Sequence, residues 1–356
     1  MRMIAIGLAA LNFAIGAAAA APSIAPGEID WTIQRHGTKD DGSVIQFNVE
    51  SHWAPNQTSM WSSDRPIGEF QGLSASQVTG PPGPVRFALL REAGRLDCSG
   101  VAGGLVGSGN CSFTPDAGFA AFLATHGIGR PDRRQSFTLA MSQVGRELVT
   151  ALEGFSYARP SVDQLSAMGI HGVSPNFVRE LAGQGYRLKS ADELVNFKIH
   201  GVDVDYIRGL AAIGPQFRRF AADDLVSMKI HGVKPAYVQA MAAIGPSFAT
   251  LSAEDLVSFA IHGAKPAMIQ AFARHSRSPL RAEDVTAMAV HGVSGSFIEE
   301  MAALGYSGFT ADELVQLKIH GVTSDYARSL QVHGMKNLSA DELVRLRISG
   351  FEPSSR

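Results

Sequence analysis

The tripeptide Ile-His-Gly recurs at 170–172, 199–201, 230–232, 261–263 and 319–321, and Val290-His291-Gly292 is a variant of it. The histidines His171, His200, His231, His262, His291 and His320 stand 29, 31, 31, 29 and 29 residues apart. A period of this length marks stacked supersecondary units, each too small to bury its own apolar face, rather than one globular core.

Each unit carries two apolar segments of helical period, as in VKPAYVQAMAAIG (233–245) and LSAEDLVSFAIHG (251–263). The second segment, helix B, opens on a capping residue with an amide or acid three positions later. The pairs are Ser161 with Gln164, Ser190 with Glu193, Ser252 with Asp255, Thr310 with Glu313 and Ser339 with Glu342. The hydroxyl accepts from a free N–H of the first turn, and the later side chain reaches back to the cap N–H. Asp255, one methylene shorter, is expected to act only through its charge at the helix N-terminus.

Helix B stops at the His-Gly pair. Gly172, Gly201, Gly232, Gly263, Gly292 and Gly321 can take the left-handed conformation that returns N–H groups to the last carbonyls. The neighbouring histidine is placed to bond those carbonyls or, when charged, to favour the negative end of the helix dipole. Ser174-Pro175, Lys234-Pro235 and Lys265-Pro266 then open helix A, where proline is tolerated at the first position. Helix A places Phe177, Tyr206, Tyr237, Met268, Phe297 and Tyr326 at one equivalent position. Helix B does the same with Leu165, Leu194, Leu225, Leu256, Val285, Leu314 and Leu343. The two spacings of 31 put their surplus in the loop from A to B, at Gly214-Pro215 and Gly245-Pro246. The end units are degenerate, as capping repeats are: Ser142 stands where histidine would, and Ser349-Gly350 replaces the last His-Gly. The array is read as 142–356, an α-solenoid of short helical hairpins.

Before it the pattern is that of strands. WTIQRHG and SVIQFNVES flank an Asp-Gly turn, and PVRFALLREAGRLDC repeats the arrangement around Glu92, Ala93 and Gly94. Cys98 and Cys111 lie in LDCSGVAGGLVGSGNCSF, two short apolar runs around a glycine-rich connection. If the runs pair as a hairpin, the cysteines face each other and form a disulfide in an oxidising compartment. About five or six strands precede Pro115, enough for one small antiparallel β domain at 31–127. Residues 54–84 read as loop plus a helical turn, DAGFAAFLATHG (116–127) as a closing helix and 128–141 as a connector. The fold class is α+β.

The chain begins MRMIAIGLAALNFAIGAAAAAPS: a positive residue, an apolar run and small residues before a proline. That order predicts a signal peptide at 1–21, a linker at 22–30 and a periplasmic or secreted protein with no stable membrane span after cleavage. From Ser142 onward 21 basic residues face 22 acidic ones, so no basic field points to nucleic acid.

Nor does catalysis find a signature. HExxH and GxSxG are absent, and SGVAGGLVGSG (99–109) lacks the Lys-Ser/Thr of a phosphate loop. The pairs Asp192-Glu193, Asp223-Asp224, Glu254-Asp255, Asp312-Glu313 and Asp341-Glu342 fall in the first turn of helix B, where the dipole favours negative charge. Equivalent histidines on helices packed about 8–10 Å apart are too distant to share a zinc, whose ligand nitrogens lie about 2.0–2.1 Å from the metal. The reading is therefore of no enzyme, no metal site and no cofactor.

The unit IHGVxPxYVxxMAAxGxxxLSADELVxLK resembles the repeats of exported bacterial proteins of uncharacterised function, and is similar to those following the catalytic region of β-lactam-sensor-type membrane metallopeptidases. The resemblance covers about 142–350 and transfers no catalytic residue, because the zinc-binding motif of those peptidases is missing here. More loosely, LSAEDLVSFAIHGAKPAMIQAF (251–272) is similar to a TAL-effector repeat, which implies a minor alternative, a nucleic-acid-binding array. The constant His-Gly tip and the balanced charge depart from that pattern. The expectation is an exported, non-enzymatic scaffold for a protein or peptide partner in the cell envelope. The alternative is a regulatory or ligand-sensing accessory to an envelope peptidase or wall enzyme.

Overall fold

The computed structural model describes residues 29–34, 41–54, 57–276 and 278–352. The expected signal peptide and all but the last two residues of the linker lie outside these. The chain divides into two compact units: residues 1–121 with 131–143, and 122–130 with 144–356.

In the first unit, seven strands form one antiparallel sheet: β1 (Ile29–Gln34), β2 (Val44–Ala54), β3 (Gln57–Pro66), β4 (Phe70–Gln71), β5 (Gly83–Arg91), β6 (Gly94–Gly103) and β7 (Val106–Pro115). Their order is β3-β2-β1-β7-β6-β5-β4. The strands at the two ends of this order are consecutive in sequence, separated only by a 3-10 turn at Ile67–Glu69. Three residues reach roughly 10 Å at most, so the sheet curls until its edges approach. Phe47 of β2 accordingly meets Phe70 of β4 at a centroid distance of 4.9 Å, although the strands are far apart along the ladder. Trp31 and Phe87 complete this aromatic core, their rings 5.0 Å apart.

Across the seam between β3 and β4, Arg65 donates to the Glu69 carboxylate and to the Met141 carbonyl, both at 3.1 Å, and Arg91 donates to the same carboxylate. Burial pushes the Arg65 guanidinium below its ordinary pKa, the Arg91 charge adds to this, and Glu69 opposes it.

The expected hairpins form. β1 pairs with β2, and β5 joins β6 through Glu92-Ala93. β6 joins β7 through Gly104 and Leu105, both at positive φ (61° and 66°), the backbone of a tight turn matched to strand twist. Cys98 lies opposite Cys111 in this hairpin, and the two form a disulfide with Cα atoms 4.1 Å apart.

The segment expected to be loop differs. Its helical turn is α1 (Ala75–Thr79), capped by Ser74 and Gln77, but β3 occupies 57–66. The polar run SSDR hides this strand, which is held by backbone pairing to β2 at a sheet edge and carries little apolar signal. After α2 (Ala117–Thr125), residues read as connector contain α3 (Arg133–Met141), whose Phe137 packs edge-on to Trp53 and Phe113.

The second unit continues with α4 (Arg146–Gly154). Its B helices are α5 (Val162–Ile170), α7 (Ala191–Ile199), α9 (Ala222–Ile230), α11 (Ala253–Ile261), α13 (Ala282–Val290), α15 (Ala311–Ile319) and α17 (Ala340–Ile348). Its A helices are α6 (Pro175–Gly183), α8 (Val204–Ala211), α10 (Pro235–Ala242), α12 (Pro266–His275), α14 (Gly295–Ala303) and α16 (Ser324–Val332). Each B helix packs against the next B helix, and A helices pack likewise in two runs, α4 to α10 and α12 to α16. The equivalent leucines and Val285 of the B helices are all 2 % exposed or less, so they form a continuous core.

Capping follows the expected pairs at Ser161, Ser252, Thr310 and Ser339. Asp255 exceeds its expectation by reaching the Ser252 N–H at 3.1 Å. Ser190 caps Glu193 N–H, but the Glu193 carboxylate takes the Lys189 N–H instead.

At the stop, Gly172, Gly201, Gly232, Gly263, Gly292 and Gly321 have φ between 69° and 72°. The residue after each glycine returns its N–H five residues back, as Val173 does to Met168 O and Val233 to Met228 O, both at 2.8 Å. This is the two-bond left-handed stop, and its apolar ends are buried together. The tyrosines fasten successive tips: Tyr206 OH donates to Val233 O, Tyr237 OH to Ala264 O and Tyr326 OH to Phe351 O, each at 2.9 Å. Burial pushes the Tyr206 and Tyr237 hydroxyls above the usual phenol range.

Two stability outcomes follow. Trp31, Trp53 and Trp61 all lie in the first unit, so tryptophan fluorescence during denaturant unfolding reports on it alone. Replacing both Cys98 and Cys111 by alanine is expected to lower its stability by about 3 kcal/mol, since the bridge closes a short loop. In the second unit Gly232→Val is expected to cost at least about 1–2 kcal/mol, because a side chain is strained in the left-handed region. His231→Gln is expected to stay within about 0.5 kcal/mol. Circular-dichroism melts of the two variants decide between glycine and histidine as the essential half of the stop.

Candidate functional site

A helix period of 3.6 residues puts Leu165 and Met168 of α5 on one face and Ile170 on the other. Leu165 and Met168 are fully buried while Ile170 is 53 % exposed. The same holds in every B helix of the repeat array: Ile170, Ile199, Ile230, Ile261, Val290, Ile319 and Ile348 are between 48 and 63 % exposed. Because successive B helices pack together, these side chains form one row along the tips. With helices about 8–10 Å apart, seven of them span roughly 50–60 Å. Single exposed aliphatic residues are ordinary; here one recurs in the same register of every B helix.

The six histidines lie beside this row. Each ends its helix as the residue before the left-handed glycine, with φ from −88° to −92°. The backbone rather than the imidazole makes the stop: among the described residues, no hydrogen bond or ion pair involves the side chains of His171, His200, His231, His262, His291 or His320. The expected imidazole bond to the last carbonyls is thus replaced by the N–H groups of the following two residues, which occupy those acceptors. Among the described residues no group of three or more His, Cys, Asp or Glu side chains is placed to hold a metal ion.

Two residues before the histidine, or before Ser349 in the last unit, a cation folds back over the ring of the preceding A helix. Lys198 stands 5.0 Å from the Phe177 ring centre, Lys229 4.6 Å from Tyr206, Lys318 5.0 Å from Phe297 and Arg347 4.9 Å from Tyr326. These four rings are 6–7 % exposed. Ala260 takes the cation's place next to Tyr237, which is only half-buried. The tip edge also carries Lys234 and Lys265 at helix starts, whereas the acids concentrate in the first turns of the B helices, at their opposite ends.

Among those acids, Asp224 and Asp284 accept the N–H of Ala221 and Arg281 at 3.1 and 2.9 Å, and Glu313 and Glu342 accept their cap N–H groups at 2.8 Å. Hydrogen bonds from Ser339 hold Glu342 below the usual carboxylate range. Gln164 reaches across to Asp192 of the next unit at 3.0 Å. In each acidic pair the second acid is taken by a backbone N–H at a helix start.

No protein-family model matches this chain, and no curated protein sequence matches it. No helix among the described residues is long and apolar enough to cross a membrane.

The cation over each ring is expected to contribute about 0.5–1 kcal/mol. Lys229→Ala should therefore lower the helix melting transition, and Ala260→Lys, which supplies a cation to Tyr237, should raise it. A melt in which Ala260→Lys destabilises would show that the lysines are bystanders.

Proposed function

We propose that this chain is an exported, non-enzymatic scaffold whose second unit is an α-solenoid, binding an elongated protein or peptide partner in the cell envelope along its tip row. The observation that carries this reading is the register of seven exposed aliphatic side chains, one per repeat. Such a row has no role in the core, which is already filled by the buried leucines, and its apolar area is released from water only by a partner. The disulfide accords with an oxidising compartment. A capped and stapled array presents an extended surface without moving parts, the property that repeat proteins use for binding.

A second reading, ligand sensing by the first unit for an envelope peptidase or wall enzyme, draws on a hollow of about 590 Å³ on the sheet, lined by Arg86, Arg95, Asp97, Ser99 and Ser112. It is polar and wide, suited to a charged ligand.

The test is cross-linking and affinity capture from envelope extract with the unaltered chain and with a variant carrying Ile199→Ser, Ile230→Ser, Ile261→Ser and Ile319→Ser. These positions are half-exposed, so the variant should fold with an unchanged melting temperature. One stoichiometric protein partner, lost with the serine variant, is expected. A partner that binds both chains equally removes the tip row from the function, and recovery of wall fragments alone shifts the activity to the first unit.

A further inference from the structure

Beside the tip row the cation is not constant: Gly169, Ala260 and Ala289 stand where the other repeats carry Lys or Arg. In four repeats the cation two residues before the tip closes over an aromatic ring. At Ala289 the cation is missing, and the ring position beneath it holds Met268. A groove of about 510 Å³ opens there between α12 and α14, within the roughly 300–1,000 Å³ of ligand pockets. Its floor is apolar, formed by Ala267, Met268, Ala271 and Val293. Met268 is 3 % exposed, and methionine is the side chain best able to reshape itself around an incoming group. The walls are held close because α14 starts with Gly295, where a Cβ would lie 2.8 Å from Ala267 O.

The rim is positive. Lys265 lines the groove and has no carboxylate partner among the described residues. Arg274 shares Glu299 with His275, so that single carboxylate is already engaged from two sides. The first N–H groups of α14, at Gly295 and Ser296, add the positive end of a helix dipole.

We propose that this groove is the anchor point of the tip row, taking one large apolar side chain flanked by acidic residues from the partner polypeptide. The inference rests on the scaffold reading for the origin of that side chain. The apolar floor accounts for the anchor and the unpaired lysine for its acidic neighbours, while the exposed isoleucines on either side extend the contact to adjacent repeats. At 268 and 289 both halves of the ring-and-cation pair that closes four other repeats are missing, which gives the array a fixed register for its partner.

The repeats themselves supply a clean variant. Ala289→Lys restores the residue found at three other tips, so the fold is retained while the groove closes. The methyl groups of methionine, labelled with carbon-13, are observed by NMR in the purified chain, and the Met268 signal is assigned with Met268→Leu. Four probes are titrated: the acetylated, amidated pentapeptides Glu-Glu-Phe-Glu-Glu, Glu-Glu-Ala-Glu-Glu and Lys-Lys-Phe-Lys-Lys, and 3-phenylpropionate. The acidic phenylalanine peptide is expected to move the Met268 signal, the other three to bind at least tenfold more weakly, and Ala289→Lys to weaken the first by tenfold or more at an unchanged melting temperature.

An unmoved Met268 signal, equal binding of the lysine peptide, or binding untouched by Ala289→Lys would overturn the anchor. Equal binding of 3-phenylpropionate would assign the groove to a free small acid and overturn the polypeptide source. Capture of the envelope partner at full yield by Ala289→Lys, with loss in the isoleucine-to-serine variant, would remove the anchor and leave the scaffold standing.

Discussion

The second unit depends on a hydrogen bond that only a left-handed residue permits. When Gly232 turns to a φ of 71°, the Val233 N–H swings back to the Met228 carbonyl, and the chain leaves α9 in a direction set by that bond. The equivalent turn recurs at every tip, so each B helix ends at the same phase of its own rotation. That constancy sets which residue faces the core and which faces water: Leu225 and Met228 go inward, Ile230 outward. The exposed row is therefore a consequence of the stop as much as of the sequence that composes it. A helix ending one residue later would rotate the next element by about 100° and break the register.

The first unit solves a different problem by chain connectivity. An open antiparallel sheet leaves two edges with unpaired backbone groups. Here the edge strands are neighbours in sequence, and the Ile67–Glu69 turn brings them together around four aromatic rings. The unpaired seam is held by side chains, with two guanidinium groups converging on Glu69 and a third contact from Arg65 to the end of α3. The desolvation of Arg65 is tolerated because the carboxylate and the Met141 carbonyl replace part of its lost hydration.

Legibility in the sequence tracks how local each interaction is. Ser161 with Gln164, the tip glycines, and the paired runs around Cys98 and Cys111 are settled within a few residues, and each was readable. β3 was not, because Ser62, Ser63 and Asp64 carry no strand propensity and are placed by pairing with β2. The carbonyl bond expected of the histidine imidazoles is not made, for the converse reason: backbone N–H groups satisfy the same carbonyls first. Ile170 and its equivalents were visible as a recurring residue, but their meaning depends on helix phase and on the stacking of neighbours. The groove at Ala289 lay further from reach, since a missing lysine matters only once the other lysines are seen to fold over rings.

The tyrosine bonds between tips run in one direction. Tyr206 reaches forward to Val233 and Tyr237 forward to Ala264; the acceptor always belongs to the later repeat. Each unit therefore offers a hydroxyl to its successor, while other bonds, such as Gln331 to the Leu304 carbonyl, run backward. For a polymer made from its N-terminus onward, the donor of each tyrosine bond is made before its acceptor. The tyrosine bonds thus give a row of near-identical tips a direction that their sequence conceals.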